Sequence, residues 1–240
     1  VADVIALDAI DGLCAALALI SFIVLFFLKI TEEQLTEDQL KSMKNGFKIS
    51  NYIEKKSFPI SFAMMIWAMC HSCVNAFISP YSKSIGVTAP LFFVIYAAFV
   101  LISRPITGKL IDKKGDNIVI YPAIICFAAG LFILGTARNS GLFVLAAVPM
   151  ALGYGNLMSC SQAIAVKSAP EYRSGMATST FFISCDIGIA IGPVAFGLIV
   201  PLQGYSGMYI SSAVIVSVSI TLYFLLHGRK RMQQNNCTIV

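Results

Sequence analysis

Residues 118–137 read IVIYPAIICFAAGLFILGTA: twenty consecutive positions without a formal charge. About 20 apolar residues in a helix cross the roughly 30 Å hydrocarbon core of a bilayer. The stretch has no period of two, and a barrel strand would alternate over about ten residues. A helix closes its own backbone hydrogen bonds in lipid, so a spanning helix is the expected structure. Outward from it in both directions, comparable runs occupy 12–29, 58–81, 89–108, 141–166, 175–200 and 206–227. The expected fold class is therefore all-α integral membrane, with seven transmembrane helices.

Composition and charge agree with that reading. Hydrophobic residues make up 58% and charged residues 12% of the 240 positions, against about 25% charged in a soluble domain. The net charge of +5 is not a nucleic-acid footprint, because of where the cations sit. Fifteen of the 17 Lys and Arg residues fall in alternate connections, around 29–56, 104–114, 167–173 and 229–231, and only Lys83 and Arg138 fall in the others. Basic residues mark cytoplasmic loops. The expected localisation is a multi-pass cell-membrane protein with its N-terminus outside and its C-terminus in the cytoplasm. The first span follows Asp3, Asp8 and Asp11 rather than basic residues, so it does not read as a signal peptide. The chain begins with Val, which suggests the tail of a longer protein.

The one long polar stretch, 30–57, divides the first span from a block of six. Thr31-Glu-Glu-Gln34 and Thr36-Glu-Asp-Gln39 each have capping-box spacing. A surface helix resting its lysines on anionic headgroups and a solvated linker are both compatible with it. The seven cysteines lie mostly within apolar runs and read as reduced, buried side chains. Cys70-His-Ser-Cys73 lacks the second pair that a zinc site needs, so no metal is expected, and nothing in the chain calls for a cofactor. HExxH, GxSxG, P-loop and GxGxxG patterns are absent. That argues against an enzyme and against ATP as the direct energy source.

Two motifs are more specific. Span 6 carries Gly188-Ile-Ala-Ile-Gly192-Pro193-Val-Ala-Phe-Gly197, a GxxxG face for close helix packing followed by a helix-bending proline. After span 3 comes Arg104-Pro-Ile-Thr-Gly108-Lys-Leu-Ile-Asp112-Lys113-Lys-Gly115. This pattern resembles the cytoplasmic loop signature of the major facilitator superfamily, in the copy between its eighth and ninth helices. The resemblance places the seven spans on helices 6–12 of a twelve-helix transporter. It divides the chain into an orphan helix of the N-terminal half (1–29), a cytoplasmic linker (30–57), a six-helix C-terminal half (58–228) and a cytoplasmic tail (229–240). Gly188–Gly197 is similar to the glycine-proline motif of proton-driven drug antiporters, and Pro170–Gly175 to the basic turn before helix eleven. Two departures stand out. Asp116-Asn117 replace the basic residues that usually end the loop motif, and helices one to five are missing, so a complete transport path is not expected from this chain alone.

The resemblance implies a secondary active transporter, proton-coupled and exporting small molecules by alternating access. Its implied partners are the lipid bilayer, a small-molecule substrate, protons and the missing N-terminal half, and not nucleic acid. A truncated or split half without independent transport is the alternative. Ionisable groups within spans are costly, about 2.5–3.5 kcal/mol on insertion scales, and mark candidate sites. Asp186, mid-span, reads either as a proton carrier or as a carboxyl bonded to a neighbouring helix. His71, whose imidazole ordinarily titrates near physiological pH, is the second proton-coupling candidate. Trp67, His71, Asn75, Asn156 and Gln162 lie on the helices that the resemblance assigns to the cavity. Each is either a substrate contact or an interhelical bond. Arg104, Gly108, Asp112, Lys113 and Gly115 read as a cytoplasmic gate, with Asp112 pairing with Arg104 or sitting by a helix N-terminus, or else as a plain turn.

Overall fold

The computed structural model describes residues 2–27 and 53–225, excepting the side chains of 2–11, 25 and 114. All the regular structure among these residues is helical. The chain divides into two compact units, 1–44 and 45–240.

The first unit contains α1 (Ala2–Phe27). The helix starts about ten residues before the expected span and takes in Asp3, Asp8 and Asp11. Its apolar part among the described side chains is Gly12–Val24, and residues 28–29 of the expected span lie outside the described residues. Leu13, Leu17, Phe22 and Phe26 are all exposed on it.

The second unit holds α2 (Phe58–Ser84), α3 (Pro90–Lys114), α4 (Asn117–Thr136), α5 (Ser140–Lys167), α6 (Ser174–Gly197) and α7 (Val200–Tyr223). All six are long and apolar enough to cross a membrane. Prolines sit in the first turns of α2, α3 and α7, where the missing N–H would have had no helical partner. Asn139 caps α5, its Oδ1 accepting from Leu142 N at 2.9 Å. The connections between them are short.

α2 packs chiefly on α6, and α4 on α7, while α5 lies against α3 and α4. Lipid supplies no hydrophobic drive between helices, so van der Waals fit and interhelical hydrogen bonds decide this packing. A Cβ at Gly188 would strike the Met65 carbonyl oxygen, and one at Gly192 the Met69 carbonyl and the Ser72 hydroxyl. The GxxxG face is thus where α6 touches the backbone of α2. Gly197 has only Phe77 Cζ nearby, at 3.4 Å, and Pro193 is half-buried within α6. Tyr81 at the end of α2 donates to the Leu134 and Ala137 carbonyls (3.0 and 2.9 Å), closing the C-terminus of α4. At the other end Tyr223 donates to Asn117 Oδ1 at 2.8 Å and ties α7 to the start of α4. Backbone continuity in α7 breaks at Gly204 (φ 69°, ψ −178°).

Two expectations change. The Arg104–Gly115 motif is not a loop. α3 continues through Lys114, and Gly115, at φ 85°, terminates it. Residues 104–114 lack any strong helix breaker after Pro105, so nothing stops the helix sooner. The last residues of the expected linker also belong to the bundle. Glu54 N donates to Thr180 Oγ1 at 2.9 Å, and Ser57 Oγ to the Ala165 carbonyl at 2.6 Å.

Candidate functional site

Four helices converge on His71. Its ring lies flat on Tyr154 of α5, with centroids 3.6 Å apart and planes 3° from parallel. Its Nε2 is 3.3 Å from Tyr96 Oη of α3, and Phe127 of α4 lies 6.3 Å away. Tyr154 occupies a π-helical turn, Ala151–Gly155, within α5. Such one-turn π-segments recur at functional sites. A half-buried imidazole set against two phenol rings can exchange a hydrogen bond with Tyr96 and be polarised by the π-face of Tyr154.

Asn156 follows that turn and is 3% exposed. Its Oδ1 accepts from Ser103 Oγ (3.2 Å) and Thr107 Oγ1 (3.0 Å), both on α3. Trp67 has no exposed surface. Its Nε1 donates to Ser219 Oγ at 2.7 Å and its ring faces Tyr223, so it sits in the core between α2 and α7 rather than on an open space. Asn75, one turn beyond His71, is exposed, and Gln162 of α5 is half-buried.

Asp186 stands apart from His71. It is exposed on the face of α6 opposite Gly188 and Gly192, among exposed Phe182, Ile183 and Ile187. The structure does not bring the two titrating candidates into contact.

The expected Arg104–Asp112 pair does not form. Both residues lie on α3, eight positions apart, which is about 12 Å of helix rise. Asp112 instead meets Lys167 of α5, Nζ to Oδ1 3.8 Å, with both side chains more than half exposed. Such a pair is worth about 0–1 kcal/mol. Arg104 and Lys113 are exposed, and Gly108 has open space around it. The Asp116-Asn117 departure acquires a structural role: Asp116 is buried at the start of α4, and Asn117 receives the Tyr223 bond.

One pairing was not anticipated. Glu54, 5% exposed, has Oε2 at 2.8 Å from Arg173 Nε. The signal in the sequence was faint: one acid followed by Lys55 and Lys56 at the mouth of a span. Among the described residues no three His, Cys, Asp or Glu side chains cluster as a metal site.

Comparison with known proteins bears on the whole unit. The chain is 28% identical over 177 residues to an uncharacterized MFS-type transporter of Methanocaldococcus jannaschii, covering 72% of this chain and 46% of that protein. It is 28% identical over 172 residues to multidrug resistance protein MdtG of Citrobacter koseri, covering 68% and 41%. With MdtG of Salmonella paratyphi A the identity is 27% over 161 residues, covering 64% and 40%. The aligned part is thus less than half the length of each of these relatives. Residues 8–193 and 119–236 match the Major Facilitator Superfamily in two overlapping stretches. Six spanning helices, the charge pattern and this match over nearly the full length agree, and the chain belongs to the major facilitator superfamily.

Proposed function

We propose that this chain is the C-terminal part of a proton-coupled secondary transporter that exports small molecules by alternating access. In this reading 1–29 is the last helix of the other half, 30–57 the cytoplasmic linker, 58–228 the six-helix half and 229–240 the cytoplasmic tail. Drug-like cargo is suggested by the relatives named multidrug resistance protein. Secondary transporters of this kind bind near mid-membrane, between repeats.

The observation that carries proton coupling is the position of Asp186. A carboxyl exposed on an apolar spanning helix is expensive in lipid, so it faces water or another protein surface. The six-helix unit leaves it on an outward face, where a cavity shared with the other half would reach it. A carboxyl there gains a proton when the cavity opens to one side and loses it on the other. His71 sits deeper and serves as the inner proton acceptor or as a hydrogen-bonding wall. Arg104, Asp112 and Lys113 belong to the cytoplasmic end of α3, where contacts such as Asp112–Lys167 bias one conformation.

The test is Asp186→Asn in the full-length parent, reconstituted in proteoliposomes with an imposed pH gradient. Gradient-driven export falls at least about tenfold, equivalent to some 1.4 kcal/mol, with protein insertion unchanged. Undiminished gradient-driven export removes Asp186 from the mechanism. Orientation has its own check. With the native cysteines replaced, Lys83→Cys reacts with an impermeant maleimide from outside the cell. Lys113→Cys reacts only after the membrane is opened. The reverse pattern inverts the topology.

A further inference from the structure

The wide turn in α5 has a specific support. In a continuous α-helix the Leu152 carbonyl receives the N–H of residue 156. Here that N–H bonds the Gly153 carbonyl instead. The side chain of the same residue takes over: Asn156 Nδ2 donates to the Leu152 carbonyl at 2.7 Å. A carbonyl without a partner in lipid costs several kcal/mol, and the Asn156 amide supplies one to Leu152 across the irregular turn. The other end of the amide holds α3 through Ser103 and Thr107. With Oδ1 accepting two hydroxyls and almost no exposed surface, Asn156 presents no open acceptor to a ligand.

The two elements that Asn156 joins are the two that enclose His71. Tyr154, two residues earlier in the turn, covers the imidazole face. Tyr96, on α3 about two turns before Ser103, meets its Nε2. The turn is also pressed against α4: a Cβ at Gly153 would collide with the Phe127 backbone, so the turn cannot shift towards α4.

We propose that Asn156 is a positioning residue: its side-chain amide holds the π-turn of α5 and fastens it to α3, so that Tyr154 and Tyr96 clasp the His71 imidazole. The functional weight of this assignment rests on the reading of His71 as a site residue, while the geometric part stands independently of it.

The test uses the 240-residue chain in detergent micelles with isotope-labelled histidine. There are two histidines, and His227→Gln assigns the second. A ring stacked at van der Waals distance shields its neighbour, so the His71 ring protons resonate upfield of a free imidazole. In Asn156→Ala that upfield displacement is lost, while helix content and the fluorescence of Trp67, the sole tryptophan, stay as in the wild type. The Ser103→Ala/Thr107→Val double variant keeps Asn156 and its bond to Leu152 but cuts the tie to α3, so it loses part of the displacement. Unchanged His71 resonances in either folded variant overturn the proposal. Because the spectrum requires no transport, failure of proton coupling in the parent leaves this result intact. Loss of the displacement alongside unaltered transport by the Asn156→Ala parent retains the positioning role and discards the functional reading of His71.

Discussion

Gly192→Leu prevents stable assembly of the six-helix unit. The atoms that a side chain would meet at this position include the Met69 carbonyl oxygen, and at Gly188 the Met65 carbonyl oxygen. Both belong to the backbone of α2, which cannot swing aside as a side chain does. α2 and α6 must therefore separate along the contact that dominates the unit. Overpacking a well-packed core costs about 1–3 kcal/mol, and a leucine against main-chain atoms falls at or beyond the upper end of that range. Gly188→Leu acts the same way. Gly197→Ala is the internal control, since its neighbour is a flexible ring edge at ordinary contact distance, and it changes stability by less than about 0.5 kcal/mol. Thermal unfolding followed by size-exclusion in detergent reads all three. A Gly192→Leu protein that elutes and melts like the wild type would show that α6 does not pack on α2 through this face.

The second large effect lies at the Glu54–Arg173 pair. Removing one partner of a buried ion pair typically costs 3–5 kcal/mol because the other charge is left without compensation. The Arg173 side chain keeps 27% exposure and a further interaction of its own, which offset part of the loss, so Glu54→Ala destabilises by about 3 kcal/mol at most. The change removes only the side-chain tie, since the Glu54 N–Thr180 and Ser57–Ala165 bonds to α6 and α5 remain. Proteolysis near 53–57 should quicken in step with the loss of stability. Glu54→Leu/Arg173→Leu restores part of it, because no carboxylate or guanidinium of this pair is left buried alone, while the further interaction of Arg173 is lost. The double-mutant cycle then yields a coupling energy. Additive single effects, or a Glu54→Ala protein as stable as the wild type, would reduce the pair to a surface contact.

Much of the fold was readable because lipid simplifies the code. A run such as 118–137 has to be a helix, and the six spans expected between 58 and 227 are all helices long and apolar enough to cross a membrane. Glycines at 188 and 192 announced a close helix contact through spacing alone. What stayed hidden depended on which residue meets which across helices. The Arg104–Lys114 segment, rich in charge, looks like a loop, yet it simply carries α3 beyond the apolar run. Its helical form is what separates Arg104 from Asp112 and delivers Asp112 to Lys167. Trp67 and Asn156 are polar-tipped residues in spans, and pattern alone could not distinguish a ligand contact from a bond to Ser219 or Ser103. The π-turn was beyond reach as well. Gly153 and Gly155 signal tight packing, but an inserted residue in a helix leaves no periodic trace over five positions.

The break at Gly204 has a consequence for the membrane that suits this protein. The described helix runs on from it through Leu225, about 21 residues, and at 1.5 Å per residue these extend about 32 Å. That matches an average bilayer interior of about 30 Å. The part of α7 beyond the break is therefore long enough to cross the hydrocarbon alone, and the backbone groups freed at Gly204 can stay in the wetter headgroup zone.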